Sequence, residues 1–155
     1  MLGRLPRAWI LTAILDGLFS SALSVFAYGS TVKRLWQGVA STLFGAAALE
    51  QDAMAWVGLA MHFGVAFTWS AIFLLAYRQS NGVRRLVDGP NGLWKGAAIY
   101  GPLVWVVMSI VVIPQLTGRP PSITYRWWVQ FFGHAIFVGL PIVAMIRRPQ
   151  GAEPR

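Results

Sequence analysis

The sequence predicts an all-α integral membrane protein, with four transmembrane helices in a compact bundle and a short amphipathic interfacial helix between spans 1 and 2. Hydrophobic residues make up 56% of the 155-residue chain and charged residues only 12%, whereas soluble domains carry about 25% charged residues. Four apolar runs reach the ~20 residues of helix that a bilayer requires. The basic residues collect in short segments between these runs, which is typical of membrane topology.

The four runs predict the transmembrane helices of one domain, which covers residues 1–146. Their predicted bounds are 9–28, 54–77, 93–113 and 127–146. The first run has a rival interpretation, a signal peptide with Arg4 and Arg7 as its basic start and a cleavage site after Ala27. The length of that run and the charge of Asp16 within it favour a retained span.

Two connecting segments are also interpretable. Residues 32–49 place apolar side chains at helical intervals, which predicts an amphipathic helix that lies in the membrane interface or dips into it as a re-entrant piece. A short cap over the bundle is the alternative. Residues 147–155 are polar and predict a disordered cytoplasmic tail.

The distribution of Lys and Arg predicts the orientation of the chain. Of 13 basic residues, nine fall on the side that holds both termini and four on the other side. Because cytoplasmic segments carry the excess of Lys and Arg, both termini are expected in the cytoplasm. The net charge of +8 then indicates contact with anionic lipid of the bilayer, not with nucleic acid.

The sequence offers little for enzymatic chemistry, and no enzyme activity and no cofactor are expected. Cysteine is absent, which excludes disulfides, thiolate metal sites and cysteine nucleophiles. No motif for a serine nucleophile, a zinc-binding helix, a phosphate loop or a dinucleotide fold occurs. Two histidines and one distant carboxylate do not form a closed metal site.

Polar side chains inside the predicted spans form the candidate intramembrane site. These are Asp16, His62, Tyr100, Gln130 and His134. Ionisable residues at membrane depth usually face the interior of a bundle. With a helical rise of about 1.5 Å per residue, the two histidines share one depth and the Asp–Tyr pair another. Pro102 and Pro141 each free a backbone carbonyl that could accept a hydrogen bond from a histidine.

Small residues on the same faces predict burial against neighbouring helices. On the first span, Asp16 lies within a stripe of Ala, Gly and Ser residues, which allow close helix approach in lipid. On the second span, Gly58, His62 and Ala66 recur every four residues. On the fourth, Gln130 and His134 are four residues apart on one face. The candidate residues are therefore expected to face protein.

Three functional hypotheses follow. The first is a structural or accessory membrane subunit that self-associates or joins a larger complex, in which the histidines only bind helices together. The second is a proton-linked small-solute transporter that uses Asp16, His62 and His134. The third is a haem-binding membrane protein in which His62 and His134 are the axial ligands.

Four segments in order also resemble a known family. "WQGVASTLFG" (36–45), "GLAMHF" (58–63), "YGPLVWVVMSIVVIP" (100–114) and "HAIFVGLPI" (134–142) are similar to motifs of an uncharacterised family of small bacterial four-span integral membrane proteins. The resemblance covers the chain from the first span to Ile142 and implies the bacterial inner membrane, but no activity. Thr42 departs from the glycine expected in the first motif. The positions that match the family's motifs are Asp16, Gln37, His62, Met108, Pro114, His134, Gly139 and Pro141.

Overall fold

The structure, a computed structural model, describes residues 3–148, and all secondary structure in that range is helical. Four helices are long and apolar enough to cross a membrane, which confirms this part of the predicted fold class. Two shorter helices connect them. The elements are α1 (Arg4–Ala27), α2 (Val32–Phe44), α3 (Met54–Gln79), α4 (Asn81–Asp88), α5 (Gly92–Thr117) and α6 (Tyr125–Ile146).

Consecutive long helices run antiparallel. The indole Nε1 of Trp9 in α1 donates to the carbonyl of Phe63 in α3 at 2.8 Å, and Phe19 of α1 stacks on Phe137 of α6 at 4.2 Å between ring centroids. We call the end of the bundle that holds α2 and residues 118–124 the α2 end. The opposite end, which holds α4 and both ends of the described chain, is the terminal end.

Glycines allow a direct backbone contact between α5 and α6. A Cβ atom at Gly101 would overlap the backbone of His134, and one at Gly139 would overlap the carbonyl of Ala97. The two backbones therefore touch directly, as small residues permit in helix pairs that lack a hydrophobic driving force. This contact fixes the height of His134 relative to α5.

The helix predicted over 32–49 is shorter than expected. The side chain of Thr31 caps α2 by accepting from the backbone N–H of Arg34 at 3.0 Å. The helix ends at Gly45, whose φ of +72° favours glycine. A 3₁₀ turn (Ala46–Glu50) follows, and the segment then returns alongside α2, where Gln37 Nε2 donates to the carbonyl of Gln51 at 3.0 Å.

α2 is attached to the bundle where it crosses α3. The crossing point is Gly58, because a Cβ atom there would overlap the carbonyl of Trp36 and lie 3.0 Å from the backbone nitrogen of Ala40. Trp36, Gln37 and Ala40 are buried in consequence. Gly58 and Ala66 are buried on the same face of α3, so the expected protein-facing stripe is confirmed there.

Three of the long helices contain a π-helical segment: Leu23–Ala27 in α1, Val107–Val112 in α5 and Ala135–Gly139 in α6. In α5 and α6 a proline follows the segment, Pro114 and Pro141. Proline has no N–H and leaves the carbonyl four residues earlier without its α-helical donor. The wider π-helical turn accommodates the carbonyl that lacks this donor. Such turns often occur at functional sites.

Side-chain hydrogen bonds close the terminal end. Arg4 Nη1 donates to the carbonyls of Ile146 and Arg147, each at 3.0 Å. α1 begins at Arg4, five residues before its predicted start at residue 9. The backbone N–H of Arg148 donates to Asp88 Oδ1 at 3.0 Å, so the described part of the predicted tail is held by α4. Residues 149–155 of that tail lie outside the described residues.

Candidate functional site

A cavity of about 600 Å³ opens between α1, α2, α3, α5 and α6. We call it the chamber. Most of its wall is apolar and comes from leucine, valine, methionine and tryptophan side chains. Four of the five predicted site residues lie on the wall, namely Asp16, His62, Gln130 and His134.

Asp16 and His62 form the closest pair of ionisable groups in the chamber wall. Asp16 Oδ2 lies 3.9 Å from His62 Nδ1, and His62 Nε2 donates to the carbonyl of Ala13 at 3.0 Å. With Nε2 donating, Nδ1 is the ring nitrogen that faces the carboxyl group. Gly17 packs against the imidazole, and a Cβ atom there would lie at an ordinary contact distance of 3.4 Å from Nε2.

This pair overturns the expected division into two depths. The prediction separated Asp16 from His62 because it measured depth from the centre of a first span that began at residue 9. α1 begins at Arg4, which moves the centre of the helix close to Asp16. That shift removes part of the predicted offset, and the register of α1 against α3, in which His62 bonds the Ala13 carbonyl, places the carboxyl group beside His62.

His134 lies on another wall of the chamber and is buried. Its Nδ1 donates to the carbonyl of Gln130 at 2.8 Å, one turn earlier in α6. The ring packs against Trp105 with 4.8 Å between centroids. A neutral imidazole that donates through Nδ1 keeps Nε2 as an acceptor. Neither histidine uses a carbonyl freed by Pro102 or Pro141, so that expectation is wrong.

Tyr100 is separate from the other four candidates. Its hydroxyl donates to the carbonyl of Trp69 at 2.6 Å, and its ring packs on Phe73. Trp69 lies on the chamber wall but Tyr100 does not. The Tyr100 hydroxyl therefore ties α5 to α3 and supports the chamber from behind.

Several polar atoms around the chamber have no hydrogen-bond partner within the described chain. They are Thr12 Oγ1, Asp16 Oδ1, Trp105 Nε1 and Gln130 Oε1, and all four are buried. A buried polar group without a partner costs about 1–3 kcal/mol. Thr12 and Trp105 are not among the predicted site residues, although Thr12 lies one helical turn before Asp16, a spacing that signals a shared face.

A second cavity, of about 410 Å³, lies at the α2 end beside the chamber. We call it the vestibule. Trp105, Ile113 and Gln130 line both cavities, so they stand at the junction. Arg119, Arg126 and Tyr28 line the vestibule only.

The vestibule is rich in hydrogen-bond donors. The guanidinium of Arg126 lies 4.2 Å from the centre of the Tyr28 ring, within the range of a cation–π contact. Burial raises the pKa of the Tyr28 hydroxyl, with a further contribution from Tyr125 and partial opposition from Arg126. The hydroxyl is therefore protonated at neutral pH and can donate.

The donor set suits neither a metal ion nor a pair of haem ligands. Over residues 3–148, no three His, Asp or Glu side chains are grouped closely enough to hold a metal. His62 uses Nε2 for the Ala13 carbonyl and turns Nδ1 toward Asp16. To act as an axial haem ligand, His62 would have to give up one of these contacts.

No protein-family model, no curated protein and no solved structure matches the chain. The resemblance to the uncharacterised four-span family therefore stays a prediction. Only the geometry of the chamber and the vestibule supports the choice of a function.

Proposed function

We propose that the chain is a membrane protein that binds a small, mainly apolar molecule in the chamber, and that binding is linked to a proton on the Asp16–His62 pair. The observation that carries this proposal is the chamber itself, a space of about 600 Å³ with four candidate polar residues on its wall. A bundle in which these residues served packing alone would be expected to pair them and fill the space. The accessory-subunit hypothesis has no such use for a cavity lined by these residues.

The proton link rests on the contacts of His62. His62 directs Nε2–H at the Ala13 carbonyl. If the ring were neutral and Asp16 ionised, two electron-rich atoms, His62 Nδ1 and Asp16 Oδ2, would face each other 3.9 Å apart. One added proton turns this contact into an attractive one, whichever group holds it. A ligand that expels water from the chamber strengthens that electrostatic contact. Ligand binding should therefore change the number of bound protons.

Calorimetry of the protein in neutral-lipid nanodiscs tests both parts of the proposal. 1-Octanol serves as the apolar probe, and its titration in buffers of different ionisation enthalpy counts the protons exchanged on binding. Wild type should bind octanol and exchange protons. Asp16→Asn should bind octanol with no proton exchange, and Asp52→Asn, which removes an exposed carboxylate at the α2 end, should match wild type.

A chamber-filling variant guards against binding to lipid. Gly64 lies on the chamber wall, and a Cβ atom there would meet nothing within 4 Å. Gly64→Trp is therefore expected to fold and to lose octanol binding. Two results would refute the chamber as a binding site. One is a heat of octanol binding to wild type that equals that of empty nanodiscs, and the other is octanol binding that persists in Gly64→Trp.

Proton-linked transport is the dynamic form of the same proposal. In proteoliposomes with an internal pH dye, wild type should move protons faster than empty liposomes when octanol is present. Asp16→Asn and His62→Ala should abolish the difference. If wild type and both variants show the same proton flux as empty liposomes, the transport proposal is refuted, and only ligand binding remains.

We also propose that the four long helices cross the bacterial inner membrane with both termini in the cytoplasm. The excess of Lys and Arg on the terminal end supports this orientation. α2 would then lie in the outer interface, where its exposed Lys33 and Arg34 suit the boundary. Reporter fusions at Asn81 and Ser122 should respond on opposite sides, with Asn81 cytoplasmic; equal labelling would contradict the topology.

A further inference from the structure

The vestibule holds positive charge without a neutralising acid. Arg119 and Arg126 line it and are exposed. Within residues 3–148, the ion pairs are Lys33 with Asp52 and His62 with Asp16, so neither vestibule arginine has a carboxylate partner there. Guanidinium groups bind carboxylate and phosphate in a two-pronged geometry.

The junction between the cavities adds further donors. The hydroxyl of Tyr28 and the indole N–H of Trp105 are buried and have no partner in the described chain. The Gln130 side chain adds an unpaired acceptor oxygen in the same region. Hydrogen-bond donors are therefore present both in the vestibule, on Arg119, Arg126 and Tyr28, and at the junction, on Trp105.

The chamber beyond the junction has the opposite character. Its wall there carries apolar side chains that the vestibule does not share, such as Val104 and Met108. The carboxyl group of Asp16 belongs to the chamber and not to the vestibule. An anion is therefore favoured in the vestibule, and an uncharged chain is favoured in the chamber.

On the premise that the proposed chamber binds a ligand, we propose that the natural ligand is an anionic amphiphile. Arg119 and Arg126 hold its carboxylate or phosphate group in the vestibule, and its single apolar chain passes Trp105 and Gln130 into the chamber. A cationic amphiphile would meet two like charges at the vestibule. A short anion without a chain would leave the chamber unfilled.

Comparison of matched probes tests this inference. Octanoate, octylamine, 1-octanol and acetate are titrated into the protein in neutral-lipid nanodiscs, with empty nanodiscs as the blank. Octanoate should bind most tightly, and acetate should show no saturable binding. In the double variant Arg119→Gln/Arg126→Gln the affinity for octanoate should fall by about tenfold or more, with octanol unchanged.

A charge-matched control excludes general screening. Lys33→Gln removes a positive charge at the same end of the bundle but outside both cavities, and it should bind octanoate like wild type. Octanoate affinity that equals octanol affinity in wild type, or an equal loss of both in the double variant, would overturn the anionic head group while chamber binding stands. Absence of saturable binding by both probes would overturn chamber binding and this inference together.

A last arm separates the two sources of such an anion. The titration is repeated in nanodiscs that contain phosphatidylglycerol. If a phospholipid supplies the head group, phosphatidylglycerol should occupy the vestibule and weaken octanoate binding in these nanodiscs. In the double variant, octanoate affinity should then be the same in both lipid compositions. If the ligand is a free amphiphile, octanoate affinity should be the same in both lipids for Lys33→Gln and wild type.

Discussion

Gly58 supports α2, and with it one wall of the chamber. A Cβ atom at this position would overlap the carbonyl of Trp36 and lie 3.0 Å from the backbone nitrogen of Ala40. Backbone atoms cannot rotate away as a side chain can, so Gly58→Ala must displace α2. Overpacking of this kind costs about 1–3 kcal/mol, and alanine returns up to about 1 kcal/mol of helix propensity. Because the overlap is with backbone atoms, the upper end of that range applies, and the expected net loss is about 2 kcal/mol.

Thermal denaturation of the purified protein in detergent, followed by size-exclusion chromatography, measures this loss. For a chain of this size about 2 kcal/mol corresponds to a fall in Tm of about 4–8 °C. Gly64→Ala is the matched control on the same helix, because a Cβ atom there would meet nothing within 4 Å. Equal Tm values for the two variants would refute the direct contact between the backbones of α2 and α3.

Three other variants test the remaining supports of the bundle. Tyr100→Phe removes the hydrogen bond to the Trp69 carbonyl and should cost about 1 kcal/mol in the same thermal assay, with octanol binding retained. Gly101→Ala would overlap the backbone of His134, and its Tm should fall at least as far as that of Gly58→Ala; no change would contradict the α5–α6 contact. Arg4→Gln loses two hydrogen bonds at the terminal end, so amide exchange should quicken at the end of α6 while the α2 end exchanges at its wild-type rate.

Hydropathy and length predicted the four long helices because each spans more than the ~20 residues that a bilayer requires. Their ends were less predictable. Arg4 and Arg7 look like a polar flank in the sequence, yet Arg4 belongs to α1 and bonds to the end of α6. Such a partner lies far away in sequence and leaves no local pattern.

The candidate site was likewise predictable only in part. Periodicity predicted that Asp16 and His62 would face protein, and the structure places both on one wall. Their mutual contact was missed because depth was measured from the centre of each span separately, which does not give the register of α1 against α3. The chamber itself was not predictable, since it depends on how far α2 stands from α5 and α6. The vestibule arginines were assigned only to topology, because a charge count cannot reveal a shared cavity.

The contact between α1 and α6 has a consequence for biogenesis. Phe19 stacks on Phe137, and Arg4 bonds to the last turn of α6, so α1 contacts a helix that is synthesised well after it. In the membrane setting proposed above, α1 and α3 would enter the bilayer before α5 and α6 are made. Because α6 supplies part of the chamber wall, ligand binding would report that α6 has joined α1.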